Sequence, residues 1–452
     1  MTDVDCVVIG AGVAGLAAAA TLRRHGRDVI VLEASARAGG SAWTARIDDH
    51  LVERGPNTFR IPPAMGAFLH EHGLASRLQK AEPASRERFL VRAGQLVPVP
   101  MSVVAFARTP LLTRGGKLRL LSEPFQPAGD PTGESVAEFT KRRLGCEARD
   151  GLVAPFLTGV YAGDENQLGA EAVFPTLVAA ERSSGSIVRG LLANALRGAG
   201  SKGSWGGTWS TPNGISALTD ALAVSLDGAL RLSSRASSIG FEDGVYRIEV
   251  EEESRSHTIR CKSLVLALPA QPAAALLAAL DREAADAIGS VESAPVASVA
   301  LSLARDATRV PLRGFGYLVP RGEGELLLGC LFSSQLFAGR APPGREVLTL
   351  LAAGRRKPEA IEWSDEKLVA ALLAEIEPVL GLRDAPRVLA ISRWPRAVAQ
   401  PGRNHPRVVA GARARLAQFP RLALAGSHLD GVAFGEALAS GARAAQQVME
   451  ER

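Results

Sequence analysis

Val4-Asp5-Cys6-Val7-Val8-Ile9-Gly10-Ala11-Gly12-Val13-Ala14-Gly15 runs on through Leu16-Ala17-Ala18-Ala19-Ala20-Thr21-Leu22-Arg23-Arg24-His25-Gly26 to Asp28-Val29-Ile30-Val31-Leu32-Glu33, and the fold of this chain turns on how that stretch is read. A continuous β-branched run ending in glycines reads as a parallel strand covered on both faces over 4–9. Residues 16–25 have strong helix propensity and stop at Gly26, a natural residue just past a helix end. Residues 28–32 read as a second strand. Together they predict a βαβ unit. Gly10 permits the tight turn, Gly12 lets backbone approach a pyrophosphate, and Gly15 lets helix and strand pack closely. The helix N-terminus holds the negative charge. Glu33 lies 18 residues beyond Gly15, where a carboxylate can accept from the ribose hydroxyls of an adenosine half. It disfavours a 2′-phosphate, and with it NADP.

Outward from that unit, 452 residues leave room for two or three intertwined domains. An apolar fraction of 46% and a charged fraction of 22% exclude a largely disordered chain. The 46 Gly and 27 Pro follow no period, which excludes collagen. Of the 52 basic residues 45 are Arg, set against 47 acids for a net charge of +5. That mild surplus fits anionic small molecules or a membrane surface. No basic stripe is interleaved with aromatics, which speaks against nucleic acid as a partner. Cys6, Cys146, Cys261 and Cys330 are far apart and form no CxxC pair, so neither a metal site nor a disulfide framework is expected; all four are expected reduced and buried. The chain runs from Asp3 and Asp5 straight into a strand pattern with no secretory signal, and no apolar run reaches the 18 or so residues of a spanning helix, so a cytoplasmic protein is expected.

Past Glu33, Arg37-Ala38-Gly39-Gly40 is a second glycine turn carrying an arginine, where a longer, two-phosphate flavin cofactor can be gripped again. With Gly10 to Gly15 and Glu33 it resembles the flavoprotein superfamily of amine oxidases, phytoene desaturases and protoporphyrinogen oxidases. Glu53-Arg54-Gly55-Pro56-Asn57-Thr58-Phe59, Thr158-Gly159-Val160-Tyr161-Ala162-Gly163-Asp164 and Gly314-Phe315-Gly316-Tyr317-Leu318-Val319-Pro320 are similar to segments of the oxygen-dependent protoporphyrinogen oxidase branch. Leu424-Ala425-Gly426 with Gly431-Val432-Ala433 is similar to its C-terminal flavin motif. The matches run the length of the chain, in order.

The resemblance implies an α/β chain, α+β overall. A discontinuous Rossmann-like FAD-binding domain would take residues 1–84, 211–285 and 394–452. A mixed-sheet substrate domain would take 85–95, 201–210 and 286–393, and a helical, membrane-associating domain 96–200. In the first of these, strands are expected at 230–232, 245–250, 257–260 and 264–268. The helical segment opens on apolar residues from Leu96 to Phe106 followed by Arg108, Arg114, Lys117 and Arg119, a pattern that can lie in a lipid interface. Non-covalent FAD is implied, since the last cysteine, Cys330, is far from the C-terminus. Its contacts would be Gly10, Gly12, Val13, Ala14, Gly15, Glu33, Ala34, Arg37, Gly39, Gly40, Ser41, Gly55, Pro56, Asn57, Ala236, Trp394, Gly426, Gly431, Val432 and Ala433.

The cofactor carries the chemistry in such an enzyme, and no HExxH, GxSxG or paired-cysteine set occurs; no side chain is expected to be catalytic and no metal to be bound. For substrate, Gly159, Gly316, Leu318, Leu331 and Leu351 would line an apolar slot, the glycines giving a flat macrocycle room, with Arg60 and Arg88 anchoring propionates. The implied reaction is oxidation of protoporphyrinogen IX by O2 to protoporphyrin IX and hydrogen peroxide, with coproporphyrinogen III as the close alternative. A homodimer and peripheral contact with the cytoplasmic face of a membrane are left open by the same resemblance. An amine oxidase would want an aromatic cage at the flavin, and Tyr161, Tyr246 and Tyr317 are the only tyrosines. A non-catalytic flavin- or porphyrin-binding protein stays open because of departures from the branch. Ala397-Val398-Ala399-Gln400-Pro401 lacks its tyrosine, and Ser427-His428 and Phe434-Gly435-Glu436 replace its usual C-terminal residues. His428 is expected to be a polar cap at a turn.

Overall fold

Strand β1 (Thr2–Ile9) leads through the glycine turn into helix α1 (Val13–Arg24), and strand β2 (Val29–Leu32) returns parallel to β1 with Ile9 opposite Leu32. The structure, a computed structural model, describes residues 2–196, 205–253 and 255–450. The helix begins three residues earlier than propensity suggests because tertiary contact, not propensity, sets its start. A Cβ on Gly15 would lie 1.8 Å from the Gly10 carbonyl oxygen, so only glycine allows α1 to leave the strand at this angle.

Seven strands form the sheet around this unit, in the order 230–231, β2, β1, 255–266, 245–252 and 234–242, with 422–424 also paired to 255–266. The separate strands expected at 257–260 and 264–268 are one, Arg255–Leu266. Its first half pairs antiparallel with 245–252 and its last three residues pair parallel with 422–424. The two halves look different in sequence because the first has a solvated face and the second is covered on both.

A second seven-stranded sheet runs in the order 387–399, 293–304, 345–353, 327–332, 316–318, 89–92 and 95–98. One face packs Val299, Leu301, Tyr317, Cys330, Leu348 and Leu350 against Leu368, Leu372 and Ile376 of the helix Asp365–Leu380. The other face meets the helix Ala154–Tyr161, where Gly159 lies against Leu318. Two expected boundaries fall inside strands of this sheet. Gln95–Pro98 is paired with 89–92, so the run from Leu96 that reads as helix opens as strand, and helix begins only at Val103. Arg387–Ala399 crosses the boundary set at 394. Residues 201–204 of the expected substrate domain lie outside the described residues, and Trp205–Ser210 pairs with Phe59–Ile61 and Gln79-Lys80 of the N-terminal segment.

Residues 103–196 are short helices. Cys146 is exposed there, unlike the buried Cys6, Cys261 and Cys330, correcting the expectation that all four are buried; it opens a three-residue helix after Gly145, away from the packed sheets that bury the other three. Among the described residues no helix is long and apolar enough to cross a membrane.

The C-terminal helix Phe434–Glu450 closes the first sheet's outer face against α1. A Cβ on Gly441 would sit 1.9 Å from the Ala14 carbonyl oxygen. We therefore expect Gly441→Ala to cost about 1–3 kcal/mol by overpacking, seen as a lower urea midpoint at unchanged slope. An unmoved midpoint would show that the two helices can part without loss.

Candidate active site

The two glycine turns are one structure. Gly39 donates its N–H to the Ala11 carbonyl at 2.8 Å, Gly12 and Gly39 form a parallel bridge, and a Cβ on Gly40 would lie 3.1 Å from the Gly12 Cα. Gly10 has φ +102°, and a Cβ there would meet the Ala267 carbonyl at 2.5 Å. Gly12 differs, since nothing lies within 4 Å of where its Cβ would be. That glycine faces open space, as a backbone meant for a close ligand must. Helix α1 starts with no side-chain cap and no acid in its first turn, so free N–H groups at Val13 and Ala14 fit a phosphate.

Glu33 is half-buried at the end of β2. One carboxylate oxygen accepts from the Ala11 N–H at 2.8 Å, and the other accepts from the Ser35 N–H at 2.9 Å and the Ser35 hydroxyl at 2.7 Å. The same side chain expected to bind ribose therefore also clamps the first turn. Ala34 beside it is exposed. Ala236 lies at a bulge two residues past Ser234, whose N–H reaches the Glu33 carbonyl at 2.8 Å.

Arg37 buttresses the second turn instead of projecting from it. Its guanidinium donates to the carbonyls of Ala38 at 2.8 Å, Ala42 at 3.0 Å and Gly40, and lies 4.9 Å from the Trp43 ring. Burial pulls its pKa down, partly offset by Asp220 and Glu33. Arg54 covers the same indole at 3.9 Å, and Trp394 meets it edge-on at 6.5 Å while donating its indole N–H to the Arg54 carbonyl at 2.7 Å. Arg54 also donates to the Ser392 hydroxyl and the Ile391 carbonyl, at 2.9 and 3.1 Å. Trp43 and Arg54 were not among the expected contacts, although both lie in or beside quoted motifs. The sequence signal was an aromatic three residues after a glycine pair, with a cation close by.

Gly55 lies against that turn, where a Cβ would stand 1.9 Å from the Ser41 carbonyl oxygen. Pro56 follows it, and Asn57 donates to the Gly55 carbonyl at 3.1 Å, leaving its side-chain oxygen buried without a partner. At the C-terminal motif Gly426 has φ +142° and gives its N–H to the Ser440 hydroxyl at 3.1 Å. Gly431, Val432 and Ala433 lead directly into the helix Phe434–Glu450. His428, expected as a cap, is instead buried, with Nε2 unpartnered and its pKa pushed down to about 4, so it is neutral. The uncapped helix start, the open face at Gly12 and the orphaned Asn57 oxygen fit an FAD.

Strand register brings the expected slot residues together. Gly316 pairs with Leu331, Leu318 with Gly329, and Gly329 with Leu351, which puts Gly316, Leu318, Leu331 and Leu351 on the sheet face opposite the buried Tyr317 and Cys330. Gly159, on the helix Ala154–Tyr161, faces Leu318, and a Cβ there would come within 2.4 Å of it. Gly316 has φ +126° and a Cβ would strike the Cys330 carbonyl at 2.1 Å, so the protein's own packing already requires glycine there, whereas the neighbour of Gly159 is the movable end of the Leu318 side chain.

Arg60 is exposed and Arg88 half-buried, the latter 4.7 Å from the Phe315 ring with its Nε buried and unpartnered. Burial and then repulsion from Arg60 lower the Arg88 pKa, and no acid is among its perturbing neighbours. Arg88, with a buried, unpartnered Nε and the Arg60 charge acting on it, could hold an anion.

The chain belongs to the flavin containing amine oxidoreductase family, which it matches over residues 13–449. It is an FAD-dependent oxidoreductase by that membership and by the site above. It is 31% identical to protoporphyrinogen oxidase 1, chloroplastic, of Spinacia oleracea, over 99% of this chain and 84% of that one. It is 23% identical to coproporphyrinogen III oxidase of Bacillus subtilis, over 98% of this chain and 97% of that one. A crystal structure of a candidate protoporphyrinogen oxidase from Exiguobacterium sp. 255-15 superposes with a TM-score of 0.82 at 25% identity, over 100% of this chain and 99% of that one.

Glu33→Ala should weaken FAD binding by about 1.5–3 kcal/mol, because it removes charged hydrogen bonds both to ribose and to the Ala11 turn. Titration of apoprotein with FAD measures it. An unchanged dissociation constant would mean that Glu33 holds neither.

Proposed function

We propose that this chain oxidises protoporphyrinogen IX to protoporphyrin IX with O2 as acceptor, releasing hydrogen peroxide, within heme and porphyrin biosynthesis. The observation that carries this reading is the leucine-lined face of Leu318, Leu331 and Leu351 beside the strand that Arg88 precedes, with the Arg60 charge near enough to lower the Arg88 pKa. A macrocycle with propionates on one side and apolar substituents on the other matches that arrangement of charge and grease. Arg88 is the stronger anchor, since its unpartnered Nε gains most from a carboxylate.

Bound FAD supplies the two-electron acceptor. The chain's own residues bind and orient. Gly10 to Gly15, Glu33, Arg37 to Ser41, Gly55 to Asn57, Ala236, Trp394, Gly426 and Gly431 to Ala433 would hold the cofactor. Three two-electron steps remove six hydrogens from the porphyrinogen, and three O2 become three hydrogen peroxide. The FAD-binding, substrate and helical domains are proposed as residues 1–84, 211–285 and 394–452, then 85–95, 201–210 and 286–393, then 96–200. The helical segment exposes Met101, Val103, Val104, Leu118, Leu121 and Phe125 beside Arg108 and Arg114, which supports peripheral contact with a membrane from the cytoplasmic side.

Coproporphyrinogen III carries two further propionates, and burying them without cations would cost several kcal/mol. Leu318, Leu331 and Leu351 offer none. Side-by-side kinetics in detergent should give a kcat/KM at least about tenfold higher for protoporphyrinogen IX, equivalent to about 1.4 kcal/mol. In the same series Arg60→Ala and Arg88→Ala should raise KM more than they lower kcat, because a remote clamp acts alike on ground and transition states. Equal or reversed preference would assign coproporphyrinogen, and no turnover of either would overturn the reading.

A further inference from the structure

Glu53 and Arg340 are 5% and 2% exposed, and their charges stand 3.3 Å apart at the junction of the flavin segment and the second sheet. The Glu53 carboxylate also accepts from the Ile215 N–H at 2.9 Å and the Thr44 hydroxyl at 2.6 Å. Burial raises its pKa while Arg340, Thr44 and Ile215 pull it back. Arg340 gives its second terminal nitrogen to the Ser210 hydroxyl at 2.7 Å and the Thr211 carbonyl at 3.3 Å, and its own carbonyl accepts from the Leu51 N–H at 3.0 Å.

Both residues line a small space of about 10 Å³ that Asn57, Ser333 and Thr349 also border. Ser333 and Thr349 satisfy each other at 2.8 Å, and Glu53 is satisfied as above. Of the lining's polar atoms, Asn57 Oδ1 has no hydrogen-bond partner, and Arg340 Nη1 has none beyond its ion-pair contact with the Glu53 carboxylate at 3.3 Å. One is a donor and one an acceptor. The space has the volume that about one water molecule needs.

We propose that Arg340, held by Glu53, is a positioning residue for the flavin, acting through one water that bridges its guanidinium to the Asn57 side-chain oxygen. The inference rests on the reading that Gly55 to Asn57 face the FAD. Asn57 holds the Gly55 carbonyl, and Gly55 lies against the Ser41 carbonyl of the second glycine turn. The bridge thus transmits the place of the second sheet to the loop under the flavin.

The test uses the holoenzyme. Arg340→Met alone strands a buried carboxylate and is at risk of not folding, so Glu53→Gln/Arg340→Met is made as well, removing both charges together. In the double variant the thermal midpoint should stay near that of the parent. Its kcat should fall about tenfold through misplacement of the reacting groups, with KM for protoporphyrinogen within about twofold. The visible spectrum of bound FAD should shift. Asn57→Leu should give the same losses, and combining it with the double variant should add less than about twofold, because one bridge can be lost only once. A double variant with parental kcat and flavin spectrum would show that the pair is only structural, and multiplying losses would exclude the bridge. If the porphyrinogen reading itself fails, no variant turns over the substrate, yet the FAD spectrum and dissociation constant still decide this inference.

Discussion

The N–H of Gly39 resting on the carbonyl of Ala11 is the contact from which the rest of the molecule is hung. It joins two loops that the chain makes separately, and it forms because neither carries a side chain at the point of approach. Gly40 lies over the Cα of Gly12, and Gly15 lies under the carbonyl of Gly10. Glu33 reaches back to the Ala11 N–H, so the end of β2 fixes the same turn from below. Backbone packed on backbone leaves little freedom, and a phosphate-binding surface needs that rigidity.

Rigidity is then passed outward through aromatic and cationic side chains. Arg37 and Arg54 enclose Trp43, Trp394 closes its edge, and Arg54 grips residues 391 and 392 of a strand in the second sheet. The glycine loops and the second sheet are thereby held in one frame. On the face opposite Tyr317 and Cys330, Leu318, Leu331 and Leu351 are half-buried, and the charge of Arg60 opposes that of Arg88, which precedes the strand 89–92. That repulsion has a cost which an anionic ligand removes.

Local features were legible in the sequence. The βαβ unit, its three glycines and Glu33 act within about thirty residues, where spacing translates directly into geometry. The slot leucines were legible as motif members, but that Leu318, Leu331 and Leu351 share a face is a matter of register between strands, which spacing along one chain does not state. The long strand Arg255–Leu266 was read as two because its halves meet different neighbours. Arg37 is legible as a cofactor contact, but that its guanidinium also holds the carbonyls of its own turn is not, because an arginine in a glycine turn looks the same in sequence whichever way it folds. Cys146 reads as buried from the habit of its residue type, but it is exposed at the start of a short helix after Gly145. The Glu53 and Arg340 pair was out of reach, since its members meet only after both sheets are assembled.

The central claim is that a flavin held at these joined turns takes electrons from a porphyrinogen bound beside it. Rapid anaerobic mixing of the purified holoenzyme with protoporphyrinogen IX tests this without relying on O2. The account predicts that the oxidised-flavin absorbance disappears in a saturable phase and returns when air is admitted, with porphyrin formed in step. Flavin that stays oxidised while substrate is present would contradict it.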